Sequence, residues 1–315
     1  MLTKHINALL WSAAIFFVAV PAHGTPVTVQ IVRSDGLQAY EDANSGLRKM
    51  LQENVRGIQF QDYVIGNAPG ENEKILSQVQ KRPSLILTVG TEATQLVSSR
   101  FKDRPVVFCM VLGPAKSGLV RSLESSGNNL SGASLDIPTK MQFEKFKALV
   151  PDLKNLGVIY TAETESRVRS AEPIARSLGI NLISVKVSSE KEIPQALEWL
   201  KGQTEGLWAV PDAAIFSPSS TEQLLLFTLR NGIPFMGLSS AYVRAGALFA
   251  LDCDYADVGR QAGEIALSVL SGIEPSDIPI ARPRKVRVSL NENTARRIGL
   301  KIPAAVLKSA DSTVG

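Results

Sequence analysis

Histidine is the side chain most often responsible for acid–base catalysis and zinc binding, because imidazole is the commonest general base and the commonest zinc ligand in proteins. The 315-residue chain has two, His5 and His23. Both lie in residues 1–24, where Lys4 precedes an apolar run and small residues, which is the layout of a cleavable export signal. The mature chain is then free of histidine, which argues against Ser-His-Asp and Cys-His mechanisms and against His-based metal centres.

The leader, residues 1–24, predicts the compartment of the protein. Its apolar run is too short to cross a bilayer comfortably, and no other long apolar segment follows it, so we expect removal rather than anchoring. No cysteine stands at the start of the mature chain as a lipid acceptor. We therefore expect a soluble, periplasmic protein without a lipid anchor. The basic run at 282–287 has no interleaved aromatic residues, and we interpret it as a solvated surface beside a strand rather than a nucleic-acid site.

The two cysteines, Cys109 and Cys253, each stand at the end of a predicted strand. In an oxidising compartment they either form a disulfide between neighbouring strands of the first lobe or pack as two small buried residues. A third hypothesis makes them the acid and base of a cofactor-independent amino-acid racemase. We disfavour it, because such a pair would have to flank the substrate from two lobes.

Polar turns follow several strands of the first half and could bind a ligand. Ser34 and Asp35 follow the first strand, Gly90 and Thr91 follow the third, and Met110 lies at the end of the fourth. Free amides at the helix start after Gly90 favour a ligand carboxylate. The alternatives are that Ser34 and Asp35 cap the helix that follows them, and that Gly90 only permits a tight turn.

The second half has a similar set. Tyr160 could offer a ring or hydroxyl, and Glu165 with Ser166 could accept a ligand ammonium. Asp212 is a second candidate for the ammonium, and Ser239 could complete the rim. For the turn at 160–166, the alternative is that its residues cap the following helix. For Asp212 and Ser239, the alternative is that they are exposed to solvent without contacting a ligand. The acidic turn at Glu165, opposite the basic turn at Arg33 after the first strand, would suit a zwitterion.

Three aspartates at 252, 254 and 257 suggest an oxygen-liganded metal. Their spacing lacks the glycine and the terminal glutamate of a calcium loop. We interpret Asp254 as the cap of the next helix and Asp257 as a residue of its first turn, where negative charge is favourable. We expect no metal and no cofactor.

Short β-branched runs alternate with longer amphipathic stretches, which predicts α/β architecture with parallel strands covered by helices. Predicted strands are 27–32, 58–64, 85–89, 106–111, 156–160, 181–187, 206–210, 233–236, 248–251 and 286–290. Predicted helices are 36–52, 72–81, 92–101, 140–149, 167–178, 193–201, 221–231 and 256–270.

About 290 mature residues suggest two cores rather than one. Irregular stretches at 113–132 and 272–283 mark the passages between them. We predict two Rossmann-like lobes with parallel sheets and a multi-strand hinge: lobe 1 from 25–115 plus 246–280, and lobe 2 from 116–245 plus 281–315. Ligands of open α/β sheets bind at the carboxyl ends of strands, so the cleft between the lobes is the expected site.

Four segments carry a family resemblance that extends over the mature chain. They are LTVGTEAT at 87–94, RPVVF at 104–108 continuing to GLV at 118–120, GNNLSG at 127–132, and NENTARRIGLKIP at 291–303. They resemble extracytoplasmic substrate-binding proteins of ABC transporters, in the group with the type I periplasmic binding fold that includes tryptophan and tyrosine binders. One departure is Gly113-Pro114, where that family usually has Asp-Pro.

The resemblance implies a non-enzymatic, monomeric protein that captures a small molecule and delivers it to an ABC permease in the inner membrane. An amino acid or a related small acid is the favoured ligand, and no nucleic acid is involved. Docking of the loaded protein on a membrane sensor, instead of a permease, is an alternative that the residues leave open.

Overall fold

The computed structural model describes residues 27–34, 38–66, 70–79 and 83–315. The expected export signal at 1–24 and the candidate Asp35 lie outside these residues. None of the helices in the described ranges combines the length and the apolar character needed to span a membrane.

The first sheet contains five strands in the order β2-β1-β3-β4-β5. The pairs β1–β2, β1–β3 and β3–β4 are parallel. Every residue of β3 and β4 is buried, which is expected of parallel strands covered on both faces. The strands are β1 (Thr28–Arg33), β2 (Gln59–Val64), β3 (Leu85–Val89), β4 (Val106–Val111) and β5 (Leu130–Ser134), and the helices between them are α1 (Gln38–Asn54), α2 (Glu71–Val79) and α3 (Thr91–Arg100).

The second sheet contains seven strands in the order β12-β11-β10-β9-β8-β6-β7. All its pairs are parallel except β10–β11. Its strands are β6 (Asn155–Tyr160), β7 (Asn181–Lys186), β8 (Gly206–Trp208), β9 (Phe235–Gly237), β10 (Phe249–Cys253), β11 (Val286–Asn291) and β12 (Ser312–Val314).

In the described part of the chain, eight further α-helices follow β5. They are α4 (Thr139–Leu149), α5 (Glu165–Ser177), α6 (Ile193–Leu200), α7 (Pro218–Arg230), α8 (Ser240–Ala245), α9 (Tyr255–Leu270), α10 (Glu292–Arg297) and α11 (Ala304–Lys308). Two short 3₁₀ helices cover Glu190–Glu192 and Pro275–Asp277.

An aromatic cluster holds α4 on the second sheet. The rings of Phe143 and Trp208 meet edge to face at 4.9 Å, and those of Phe146 and Phe249 do so at 5.0 Å. All four side chains are buried, and such pairs add to the hydrophobic stabilisation of a core. The indole N–H of Trp208 donates to the side-chain oxygen of Gln142 at 2.8 Å, so the buried polar atom is satisfied.

The chain divides into two compact units. The first contains the described residues up to Cys109 with Pro114–Gly132 and Gly259–Ile280; the second contains Met110–Gly113, Ala133–Val258 and Ala281–Gly315. This grouping differs from the expected lobes, because residues 116–132 join the first unit, and residues 110–113 and 246–258 join the second. Strand pairing is the reason: β5 completes the first sheet, and β10 pairs with β9 and β11 in the second.

Candidate functional site

Gly90 forms the turn between β3 and α3 in the first unit. Its φ is +98°, and a Cβ there would lie 2.7 Å from Ser34 Oγ and 3.2 Å from Cζ of Tyr40. Both the backbone conformation and the close approach require glycine. The Gly90 amide donates to the carbonyl of Cys109 at 2.9 Å, which ties the turn to β4.

Ser34 caps α3 rather than the helix that follows it in sequence. Its Oγ accepts the Ala93 amide at 3.2 Å, from the end of the adjacent strand β1. Thr91, half-buried, is the first residue of α3, and the amides of Thr91 and Glu92 have no acceptor among the described residues. Burial, and then the charge of Glu92, raises the pKa of the neighbouring Tyr40.

Met110 is buried and has a φ of +60°, and no other non-glycine residue in the described ranges has a positive φ. A long side chain in the left-handed region stores backbone strain. The strain lies at the end of β4, where the chain leaves the first unit.

Cys109 and Cys253 are buried free thiols in the structure, one in each unit. Their strands β4 and β10 belong to different sheets, not to neighbouring positions in one sheet. Burial raises the pKa of Cys109 to about 12; burial and the charges of Asp252 and Asp136 raise that of Cys253 to about 12. Thiols with such pKa values stay protonated near neutral pH, which disfavours the racemase hypothesis.

Asp212 is buried and organises the turn after β6. One carboxylate oxygen accepts from the Thr161 amide at 3.2 Å, the Thr161 hydroxyl at 2.7 Å and the Thr164 hydroxyl at 2.6 Å. The other accepts from the Ala214 amide at 3.1 Å. The alternative of an exposed Asp212 is therefore wrong, and the carboxylate has a structural role irrespective of any ligand.

Glu165 begins α5 and contacts two cations of its own unit. Arg169 Nη2 lies 2.6 Å from one oxygen and Lys186 Nζ lies 2.7 Å from the other. The hydrogen bond and charge of Lys186, with those of Arg169, lower the pKa of Glu165. In the first unit Arg33 pairs with Glu41 in the same way. The two charges that suggested zwitterion binding are thus already paired within their own units.

The remaining candidates of the second unit are dispersed. Tyr160 is half-buried and packs against the core, Ser166 is exposed, and Ser239 precedes α8 without a side-chain capping bond. Its neighbour Ser240 instead donates its amide and hydroxyl to Asp252, each at 3.1 Å.

A cavity of about 190 Å³ opens in the second unit, beside the carboxyl ends of β8, β9 and β10. None of the nine predicted ligand residues that the structure describes lines it, although Cys253 does. Its apolar wall is formed by Leu112, Leu135, Ile137, Met236 and Leu251, and its polar side chains are those of Gln142, Arg167, Asp252 and Tyr255.

The sequence signal for this cavity was incomplete. Asp252 and Tyr255 flank a predicted strand end, which is a general indication of a site, but the sequence pattern suggests Asp252 only as a metal ligand. The sequence predicts only a helical position for Arg167 and no functional role. A small, largely apolar cavity with a few convergent polar groups is typical of a small-molecule site.

The aspartates after β10 form ion pairs instead of a metal centre. Asp254 accepts the Asp257 amide at 3.1 Å, which confirms the predicted cap. Asp257 pairs with Arg284 Nε at 2.9 Å and Lys285 Nζ at 3.3 Å, and Asp254 pairs with Arg287 at 2.6 Å. The basic run is thus exposed, as expected, but ion-paired. No cluster of acidic or cysteine side chains suited to a metal occurs in the part of the chain that the structure describes.

Similar proteins include binders of aromatic amino acids. A tyrosine-binding protein of Clostridioides difficile (strain R20291) is 30% identical over 226 residues, which are 71% of this chain and 65% of that protein, somewhat less than two thirds of its length. A solved ABC domain in complex with L-Trp from Streptococcus pneumonia has 22% identity and a TM-score of 0.70, covering 92% of this chain and 100% of that one.

A ligand-free, open substrate-binding protein with adhesive properties from Clostridium difficile has 23% identity and a TM-score of 0.78, covering 91% and 99% of the two chains. These likenesses and those to other solved periplasmic binding proteins give the type I periplasmic binding fold. The sequence profile described as ABC transporter substrate binding protein matches residues 27–314. The chain therefore belongs to the ABC transporter substrate-binding protein family, whose members bind ligands and are not enzymes.

Proposed function

We propose that this protein captures an amino acid or a related small acid outside the cytoplasm and presents it to the permease of an ABC transporter. The observation that carries the proposal is the cavity beside β8, β9 and β10, because it joins an apolar wall to an arginine. Its volume of about 190 Å³ is below the 300–1,000 Å³ of drug-sized sites, which favours a small metabolite.

The relatives support the same ligand class. The tyrosine-binding protein is the more similar of the two amino-acid binders, and the L-Trp complex shares the fold. Because a mainly apolar wall offers few partners for hydroxyl groups, a sugar would leave its polar atoms unpaired there. We also propose removal of residues 1–24, a periplasmic location and a monomeric state, on the signal-like leader and the extracytoplasmic family.

The test is thermal unfolding of the mature protein after refolding from urea to remove any carried ligand. The panel contains L-tyrosine, L-tryptophan, L-leucine, nucleosides, ribose and small organic acids. A ligand that binds only the folded state at 100 times its Kd stabilises it by about 2.7 kcal/mol, which is a shift of several degrees. We expect a shift with at least one amino acid. A shift with ribose or a nucleoside alone would contradict the proposed ligand class.

A further inference from the structure

We infer that Arg167 binds the ligand carboxylate in this cavity, so that the site selects acids over the corresponding amines. The inference rests on the proposed function in one respect, namely that the ligand is a small molecule that occupies the cavity beside β8, β9 and β10.

The first argument is the unused hydrogen-bonding capacity of Arg167. Its side chain is only 18% exposed. Among the described residues, its guanidinium makes a single hydrogen bond, from Nη2 to Asp136 Oδ1 at 3.1 Å. A guanidinium has five N–H donors and no acceptor. None of its nitrogens is both fully buried and unpartnered, so the spare donors of this mostly buried arginine stay accessible from the cavity that it lines. Such donors are suited to an incoming anion.

Asp136 provides the second argument, because it fixes the orientation of the guanidinium. Its two oxygens accept the Gly113 amide at 3.2 and 3.1 Å, and one of them also accepts from Arg167. The carboxylate is therefore held by the backbone after β4 and in turn holds one edge of the planar guanidinium. A planar group held at one side presents its remaining donors as a fork, which matches the two oxygens of a carboxylate.

The other polar side chains of the cavity are already engaged. Asp252 accepts from the Ser240 amide and hydroxyl, from the Cys253 amide at 3.0 Å and from the Tyr255 hydroxyl at 2.5 Å. These four donors match the roughly four lone-pair positions of a carboxylate. A ligand ammonium therefore finds little unused capacity on Asp252.

Gln142 is engaged at both ends of its amide. The oxygen accepts from the Trp208 indole at 2.8 Å, and the nitrogen donates to the Ile137 carbonyl at 2.9 Å. The cavity thus combines spare donors at Arg167 with acceptors that are mainly occupied. Together with the apolar wall, this favours a carboxylate carried on an apolar body over an amine or a polyol.

The test compares probes that differ by one group. Isothermal titration is performed with L-tyrosine, with tyramine, which lacks the carboxylate, and with 3-(4-hydroxyphenyl)propionate, which lacks the ammonium. The pair L-tryptophan and tryptamine and the pair L-leucine and 3-methylbutylamine extend the comparison. We expect loss of the carboxylate to weaken binding by about 30-fold or more, since leaving a desolvated charge without its partner costs that much. Loss of the ammonium should weaken binding less.

Arg167→Met should weaken amino-acid binding by about 30-fold or more and remove the preference for acid over amine. Arg167→Lys should give an intermediate loss, because it keeps the charge but not the fork. The control is Arg169→Met, two residues further on the same helix, where the arginine is 74% exposed and pairs with Glu165. Its binding should match that of the wild type.

The outcomes separate the two proposals. If the wild type binds none of the three amino acids and none of the small organic acids of the thermal panel, the proposed function and this inference both fail. If it binds an amino acid but binds the matching amine equally well, the inference alone is refuted, and this comparison needs no variant. Retention of the acid preference by a folded Arg167→Met protein, checked by its urea midpoint, would refute it as well.

Discussion

Removal of the Asp212 carboxylate should destabilise the second unit without acting primarily on ligand affinity. The carboxylate is buried and accepts four hydrogen bonds, from the amides of Thr161 and Ala214 and the hydroxyls of Thr161 and Thr164. Asp212→Ala removes all four. Asp212→Asn keeps one oxygen in place and turns the other into a donor that cannot accept.

The magnitude follows from what each donor can do afterwards. The Thr161 amide also lies 3.3 Å from Thr164 Oγ, and the two hydroxyls can rotate, so these groups recover part of the loss. The Ala214 amide loses its described acceptor. With about 1.5–3 kcal/mol for a bond to a charged group and about 1–3 kcal/mol for a donor left unpaired, we expect Asp212→Ala to cost about 3–5 kcal/mol and Asp212→Asn about 1–2 kcal/mol.

Urea unfolding followed by tryptophan fluorescence is the appropriate assay. Outside the leader the tryptophans are Trp199 and Trp208, both in the second unit, so the signal reports that unit. The control Asp152→Ala removes an exposed aspartate of the same unit and should leave the midpoint unchanged. If Asp212→Ala kept its midpoint but abolished amino-acid binding, Asp212 would be a ligand contact and the structural account would be refuted.

Gly90→Ala should lower the stability of the first unit by about 1–3 kcal/mol in urea unfolding followed by circular dichroism, because an L residue is strained at that φ; an unchanged midpoint would contradict this. Burial tends to raise the pKa of Asp257, but the hydrogen bonds and charges of Arg284 and its neighbouring lysine outweigh it and hold the pKa below its usual value. Because the pKa of Asp257 is lower in the folded than in the unfolded protein, the ionised carboxylate adds to the free energy of unfolding above the unfolded pKa of about 4. This contribution is lost as the pH falls through the folded-state pKa. Arg284→Gln should therefore lower the urea midpoint most above pH 5, with a difference that shrinks towards pH 2; a constant difference would refute this linkage. With thiol pKa values of about 12, Cys109 and Cys253 should react slowly with a disulfide reagent at pH 8 and rapidly in urea; a chain without titratable thiols would overturn this.

The sequence alone determined the order of the longer strands and helices, because each of these buried elements carries its own periodicity. The predictions for β3 and β4 match the structure at both ends, and the cap at Asp254 is confirmed. These features depend on residues close together in the chain: apolar runs for buried parallel strands and an acidic residue before a helix. The sequence did not predict the short strands β5 and β12 or the short helices α8, α10 and α11. In β5, LSGAS has weak strand propensity, and Gly132 permits a close approach to Phe108.

Only the tertiary structure decided which candidate functional residues contact one another. Cys109 and Cys253 looked alike in sequence, but long-range pairing assigns β4 and β10 to different sheets. Charges that appeared available, such as Glu165, are paired with residues brought near by folding. Arg167 looked like an ordinary helical arginine, and it becomes a candidate carboxylate ligand because α5 and the turn after β5 bring Asp136 to one edge of its guanidinium. Unused hydrogen-bonding capacity depends on every neighbour in space, so no local pattern could have predicted it.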